Sequence, residues 1–212
     1  MPRRKIQFLM VIFTALAAYL YWQHQENIFG NKGRLVAIQT DDAVILSWHH
    51  EIDVPMAKRF AEAFEEWEQK TGHFIIDLHS PGGALREGGN VINEIEKMKP
   101  THLITTSVGP GQTCASMCVP IYLAGENRIA ATSSHWMFHE PSASNFFTGE
   151  EIDQPEIERE HFNNRFFEKY FTNSDMDPAW REQLRRDWIG NEIWKTGVQL
   201  VNERSNIILE LY

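Results

Sequence analysis

The order of apolar and polar positions divides the chain into three unlike parts. Ile6 to Trp22 is an uncharged, mostly apolar run of 17 residues. Gln23 to Arg34 is polar and carries Gly30 and Gly33, the make-up of a linker. From Leu35 onward, short apolar runs alternate with amphipathic ones. Leu35–Ile38, Ala43–Trp48, Phe74–Leu78, His102–Thr106, Asn127–Ala131 and Trp136–His139 read as strands. Val54–Lys70 places Met56, Phe60, Ala63, Phe64 and Trp67 at spacings of three and four, which predicts a helix that Thr71-Gly72 ends. A second helix is expected from about Ala84 to Met98, stopped by Pro100, and a third from about Cys114 to Ala124. Strands that alternate with helices of this length imply parallel βαβ units with right-handed crossovers. After Pro141 the pattern turns helical, over Glu150–Phe171 and Pro178–Trp188, before a last segment Ile193–Val201.

Composition narrows this picture. Apolar residues make up 42% of the 212 and charged residues 23%, values of a folded chain. The net charge is −9, but Arg3, Arg4 and Lys5 precede the apolar run and no acid appears before Glu26. The remainder holds 17 basic against 29 acidic residues, which excludes a basic groove for nucleic acid. A run of seventeen residues stands at the lower limit for a helix that spans a bilayer, and Tyr19, Tyr21 and Trp22 resemble an interfacial belt. An uncleaved signal anchor is the expectation. Ala15-Leu16-Ala17 keeps open a cleaved signal peptide and a secreted form, and a buried N-terminal helix is the plainer alternative. The leading basic residues put the N-terminus in the cytoplasm and the domain in the periplasm or outside the cell. The expected division is 1–22 membrane segment, 23–34 linker and 35–212 a single domain.

Three segments can carry chemistry. Ser80-Pro81-Gly82-Gly83 is a tight turn after a strand; its glycines also let backbone N–H groups approach a reacting carbonyl. Gly111-Gln112-Thr113-Cys114-Ala115-Ser116-Met117-Cys118 sets a serine among small residues at the start of a helix, where it either packs or attacks. Phe138-His139-Glu140-Pro141 ends a strand with a histidine. Each taken singly is more often structural.

Together and in this order they resemble the Clp protease proteolytic subunit, over about Ala43 to Val201. The family pattern is Ser-Pro-Gly-Gly, then an Ala-Ser-Met serine opening a helix, then a histidine before a proline. The chain is also similar to a group of Clp-like proteins with N-terminal membrane segments and cysteines around the serine. The resemblance implies a ClpP/crotonase-like α/β fold of repeated βαβ units with a parallel sheet and a helical C-terminal part, preceded by one membrane helix. It implies Ser116 as nucleophile, His139 as base, and the N–H groups of Gly83 and Met117 as an oxyanion hole. Asp187, 48 residues after His139, is the best match for the third triad member, with Asp175 and Asp177 as competitors. A related class on this fold uses a serine–lysine pair, but Lys70, Lys97 and Lys99 fall in other contexts. The implied activity is a serine endopeptidase acting on peptides or proteins, with no cofactor and no metal.

The rivals are a non-catalytic binding or scaffold protein on the same fold and a crotonase-type acyl-CoA enzyme. A Ser116–His139 separation beyond about 5 Å would favour the first. The second fits neither a serine–histidine pair nor a location away from CoA. The acidic segment Ser142–Asn164 does not supply the handle by which soluble Clp rings pair, which argues against barrel assembly. Cys114 and Cys118 on one helix would set their Cβ atoms about 5–6 Å apart, so packing thiols are expected, although an oxidising compartment favours a disulfide. Phe162, Phe166, Phe167, Tyr170 and Phe171 form a dense aromatic stripe. A homo-oligomer with Phe166 or Phe167 at the contact is expected, with packing on the chain's own sheet as the alternative.

Overall fold

The computed structural model describes residues 33–141 and 155–212. The expected membrane segment 1–22, nearly all of the linker and the start of the helix expected at Glu150 lie outside the described residues. Among the described residues, no helix is long and apolar enough to cross a membrane.

The elements in order are β1 (Leu35–Gln39), β2 (Val44–Trp48), α1 (Met56–Trp67), β3 (His73–Leu78), α2 (Leu85–Met98), β4 (Leu103–Val108) and β5 (Thr113–Ala115). There follow α3 (Cys118–Leu123), β6 (Asn127–Ala130), β7 (His135–Phe138), α4 (Glu156–Phe167) and a π-helical turn, Glu168–Thr172. The chain closes with α5 (Pro178–Asp187), β8 (Ile193–Thr196), α6 (Gly197–Asn202) and β9 (Glu210–Leu211).

Among the described residues, one sheet has the order β1-β2-β3-β4-β6-β9 and a second, smaller one β5-β7-β8. Strands β2, β3, β4, β6 and β9 run parallel, as the βαβ rhythm predicts. The parallel expectation fails at the edge: β1 is antiparallel to β2. The turn between them is closed by the Thr40 N–H donating to the Ala43 carbonyl at 2.8 Å. So short a link makes a hairpin, because a parallel pair needs a long crossover. β7 also pairs antiparallel with β8.

Period-two burial explains why β2 and β3 pack as they do. Val44, Leu46 and Trp48 alternate with half-buried Ile45 and Ser47, and Phe74, Ile76 and Leu78 repeat the pattern. These face the apolar stripes of α1 (Met56, Phe60, Phe64) and α2 (Val91, Ile95) in one continuous core. Each fully buried large side chain contributes about 1.5–3 kcal/mol. Phe64 and Phe74 meet edge to face with centroids 5.0 Å apart.

Two expectations are corrected. The helix expected from Cys114 to Ala124 is split into β5 and α3, with Ser116 and Met117 between them. Pairing overrides the local pattern: β5 is bound by β7 on one side and by Ser80 on the other. The aromatic stripe is not a contact surface through Phe166 or Phe167. Phe166, Phe167 and Phe171 are buried and ring Trp188, with centroids 6.3, 5.0 and 5.9 Å from it. The end of α5 supplies the missing wall, which sequence spacing could not reveal.

The C-terminal elements are tied by Glu203, whose carboxylate accepts from Lys195 Nζ at 2.5 Å and from Trp180 Nε1 at 2.9 Å. Burial pushes its pKa up, but the Lys195 and Trp180 hydrogen bonds outweigh that and hold it below its ordinary 4.5. A carboxylate with a lowered folded pKa adds stability above its unfolded pKa and loses it as pH falls through the lowered value. Glu203→Gln is therefore expected to cost about 0.5–1 kcal/mol at neutral pH, given the partial exposure of the pair. The deficit should vanish in acid below the ordinary carboxylate range, as read by urea unfolding of both proteins across pH.

Candidate active site

The site is assembled on β5. Its middle residue, Cys114, bridges Ser80 in parallel: the Ser80 N–H donates to the Thr113 carbonyl at 2.7 Å, and the Ala115 N–H to the Ser80 carbonyl at 3.0 Å. On the other side, Thr113, Cys114 and Ala115 pair with His135, Trp136 and Met137 of β7. One ladder thus sets the ends of three segments side by side: the Ser80–Gly83 turn, Ser116 after β5, and His139 after β7.

Ser116 has φ 53°, a left-handed conformation that non-glycine residues seldom adopt. Its N–H donates to the Met137 carbonyl at 2.9 Å, and its own carbonyl accepts from the Val119 N–H at 3.0 Å. The chain therefore leaves a strand, reverses at the serine and enters α3 at once. Such a strand–serine–helix elbow presents a hydroxyl rather than burying it. Ser116 Oγ lies 2.7 Å from His139 Nε2, and both residues are partly exposed.

The Ser80–Gly83 turn closes over the same hydroxyl. Ser80 is buried, and its Oγ accepts the Gly82 N–H at 3.2 Å. Ile52 docks on the turn in parallel register: its N–H donates to the Gly82 carbonyl, and its carbonyl accepts the Ala84 N–H, both at 2.7 Å. That pairing directs the polar groups of Gly83 away from Ile52. Among the described residues, no hydrogen-bond acceptor takes the N–H of Gly83 or of Met117. A Cβ on Gly82 (φ 101°) would stand 2.6 Å from Ser116 Cβ and 2.9 Å from the Ala115 carbonyl oxygen, so only glycine lets the turn lie against the serine. At Gly83 (φ 142°) a Cβ would strike the Ile52 carbonyl.

The structure thus brings four of the five sequence-nominated residues, Ser116, His139, Gly83 and Met117, into one neighbourhood. Asp187 stands apart: it is exposed at the end of α5, and its carboxylate accepts from Gln183 Nε2 at 2.7 Å. Asp177 caps α5 by accepting the Trp180 N–H, and Asp175 lies 3.5 Å from Arg128. Glu140, next to the histidine, is held by the Asn163 amide and by the Gly190 N–H at 2.8 Å. Among the described residues, none donates to or accepts from His139 Nδ1. Lys97 and Lys99 pair with Glu94 and Glu96, and Lys70 stacks on Trp67. No group of three or more metal-ligating side chains occurs among the described residues.

Sequence reasoning singled out the Ser80–Gly83 turn as a whole, with Gly83 as the donor, but missed Ile52, which docks on that turn without supplying chemistry and which nothing in the sequence marks. It also set the cysteines aside as packing thiols, whereas the structure joins Cys114 and Cys118 in a disulfide with Cα atoms 5.2 Å apart. The helix assumed for both does not exist at Cys114, and the elbow folds the two sulfurs together.

A family model described as Clp protease matches residues 35–189, a span that contains Ser80–Gly83, Ser116, His139 and Asp187. No curated protein matches the sequence closely. Among solved structures, a variant of ClpP1 from Listeria monocytogenes has a TM-score of 0.60 at 18% identity, over 79% of this chain and 90% of that one. A variant of the 1510-N membrane-bound stomatin-specific protease has 0.64 at 17%, over 82% of this chain and 81% of that one. Another variant of that protease, in complex with a substrate peptide, has 0.65 at 17%, over 82% and 77%. At these identities the likeness to solved structures concerns the fold alone.

Gly82→Ala is expected to destabilise the protein by about 1–3 kcal/mol through strain and crowding together. Gly111→Ala is the control: Gly111 also has positive φ, 67°, but nothing lies within 4 Å of an added Cβ. It should cost about 1 kcal/mol from the backbone alone. Denaturant unfolding of the two variants separates the packing of Gly82 on Ser116 from its conformation.

Proposed function

The chain belongs to the Clp protease family and is a serine peptidase, and on that premise we propose that Ser116 is the nucleophile and His139 the base that activates it. The observation that carries this reading is the 2.7 Å contact between Ser116 Oγ and His139 Nε2 at a left-handed elbow. With Nε2 unprotonated, the hydroxyl donates its proton as Oγ bonds to the substrate carbonyl carbon. The unclaimed Gly83 and Met117 N–H groups take the oxyanion, each worth about 3 kcal/mol of barrier. His139 then gives the proton to the departing amine, and water releases the acyl group by the same route.

Asp187 is assigned the third place by its position just before β8, the strand paired with the histidine strand. Its carboxylate is taken by Gln183 here, so the working state exchanges that partner for His139 Nδ1. The substrates are peptides or proteins, and no cofactor enters the mechanism. Residues 1–22 act as an uncleaved anchor, with the N-terminus in the cytoplasm and the domain outside. A buried disulfide suits that oxidising location, and the 1510-N neighbours are themselves membrane-bound. Self-association belongs to the same reading, on a face other than the one at Phe166 and Phe167.

A fluorophosphonate should label the full-length protein, and Ser116→Ala should not be labelled. His139→Ala should slow labelling by about 100- to 10,000-fold. Asp187→Ala should slow it by about 10- to 100-fold, less than the histidine, because it acts by orientation. Equal labelling of wild type and Ser116→Ala would instead leave a non-catalytic binding protein on this fold.

The location has its own check. Full-length protein should stay with membranes through a carbonate wash. Recovery in a soluble cytoplasmic fraction would overturn the anchor, and a soluble form beginning near Ala18 would replace it with a cleaved signal peptide.

A further inference from the structure

The cysteines bracket the serine symmetrically, two residues before it and two after. The bond between them joins two different elements: Cys114 is the middle residue of β5, and Cys118 is the first residue of α3. Everything between is the elbow itself, Ala115-Ser116-Met117, which holds the nucleophile and one oxyanion donor. The whole sequence contains two cysteines, so within the chain each has one possible partner.

A bond closing so short a loop removes little freedom from the unfolded chain, and it contributes correspondingly little to global stability. Its effect is local. Ser116 holds a disfavoured φ of 53°, which persists only where the surroundings over-determine it. Its backbone is otherwise tied by the Met137 carbonyl and the Val119 N–H. Those bonds fix Ser116 against β7 and the first turn of α3. The body of α3 is held by its own packing: Tyr122 meets Trp136 edge to face at 4.7 Å, and its carbonyl accepts from the Thr106 hydroxyl at 2.7 Å. The disulfide adds the covalent tie between the first residue of α3 and β5. A shift of that first turn away from β5 would relax Ser116, withdraw Oγ from His139 and turn the Met117 N–H away from the substrate.

We propose that the Cys114–Cys118 disulfide is a positioning clamp for the nucleophile, so that the competent elbow exists only in the oxidised chain. The proposal rests on Ser116 being the nucleophile and extends it: peptidase activity becomes conditional on disulfide formation. Both sulfurs belong to fully buried residues, so the bond forms as the domain folds and resists casual reduction. An external dithiol breaks it by passing two electrons and two protons to the sulfurs. Two thiols result, and the reductant closes to its own disulfide.

The test follows full-length protein in dithiothreitol over time, counting free thiols and measuring fluorophosphonate labelling in the same samples. Labelling should fall about tenfold or more as two thiols appear, recover on reoxidation, and leave the far-UV circular dichroism unchanged. The double variant C114A/C118A should match the reduced protein. Amide hydrogen exchange at residues 115–119 should accelerate on reduction, a readout that needs no activity. Undiminished labelling with both thiols free, or unchanged exchange at 115–119, overturns the clamp. So does loss of the circular dichroism signal on reduction, since the bond would then be a staple of the whole fold. If the oxidised wild type is not labelled at all, the peptidase reading fails, and the exchange experiment alone decides the clamp.

Discussion

The site depends on three residues of β-strand. Thr113–Ala115 is hydrogen-bonded on one side to Ser80 and on the other to β7. Because a strand has one direction and a fixed rise, pairing it twice sets the register of both neighbours at once. That double pairing determines where the glycine turn, the serine and the histidine end up. Without it, Ser116 would continue a helix, and its hydroxyl would point wherever that helix turned.

Strain and support are matched around this strand. Ser116 takes a backbone conformation that costs on the order of 1–3 kcal/mol. Gly82, with no side chain, allows the opposing turn to come within contact of it. Met137 supplies the acceptor for its N–H, and the disulfide joins the elements before and after it. The chemistry is assigned to a few groups, and a larger set with no chemical role keeps those groups in place. Gly82, Ile52 and Met137 belong to that second set.

Asp187, proposed as the third member, does not join the pair. The Ser116–His139 contact is made, whereas the Asp187 carboxylate faces Gln183 on its own helix. An i,i+4 contact on an exposed helix end is worth a few tenths of a kcal/mol, so the cost of giving it up is small. The ring of aromatics on Trp188, the residue next to Asp187, holds this end of α5 firmly in the core. The aspartate therefore sits on a fixed base, with an exposed side chain held, among the described residues, by a single weak contact.

The βαβ rhythm, the apolar face of α1 and the three segments that converge here, the Ser80–Gly83 turn, the Ser116 segment and the His139 segment, were legible in the sequence. Periodicity and turn chemistry are local, and they survive in a one-dimensional reading. What could not be read there depended on partners distant in the chain. Cys114 looked helical because its neighbours suit a helix, yet Ser80 and Trp136 make it strand. The cysteines looked too far apart because one helix was assumed for both. Phe166 and Phe167 looked like surplus apolar surface because Trp188 lay about twenty residues away in the chain. The sequence determined which residues were available for chemistry. Only the tertiary structure decided which of them met, because long-range strand pairing overrides local preference wherever the two disagree.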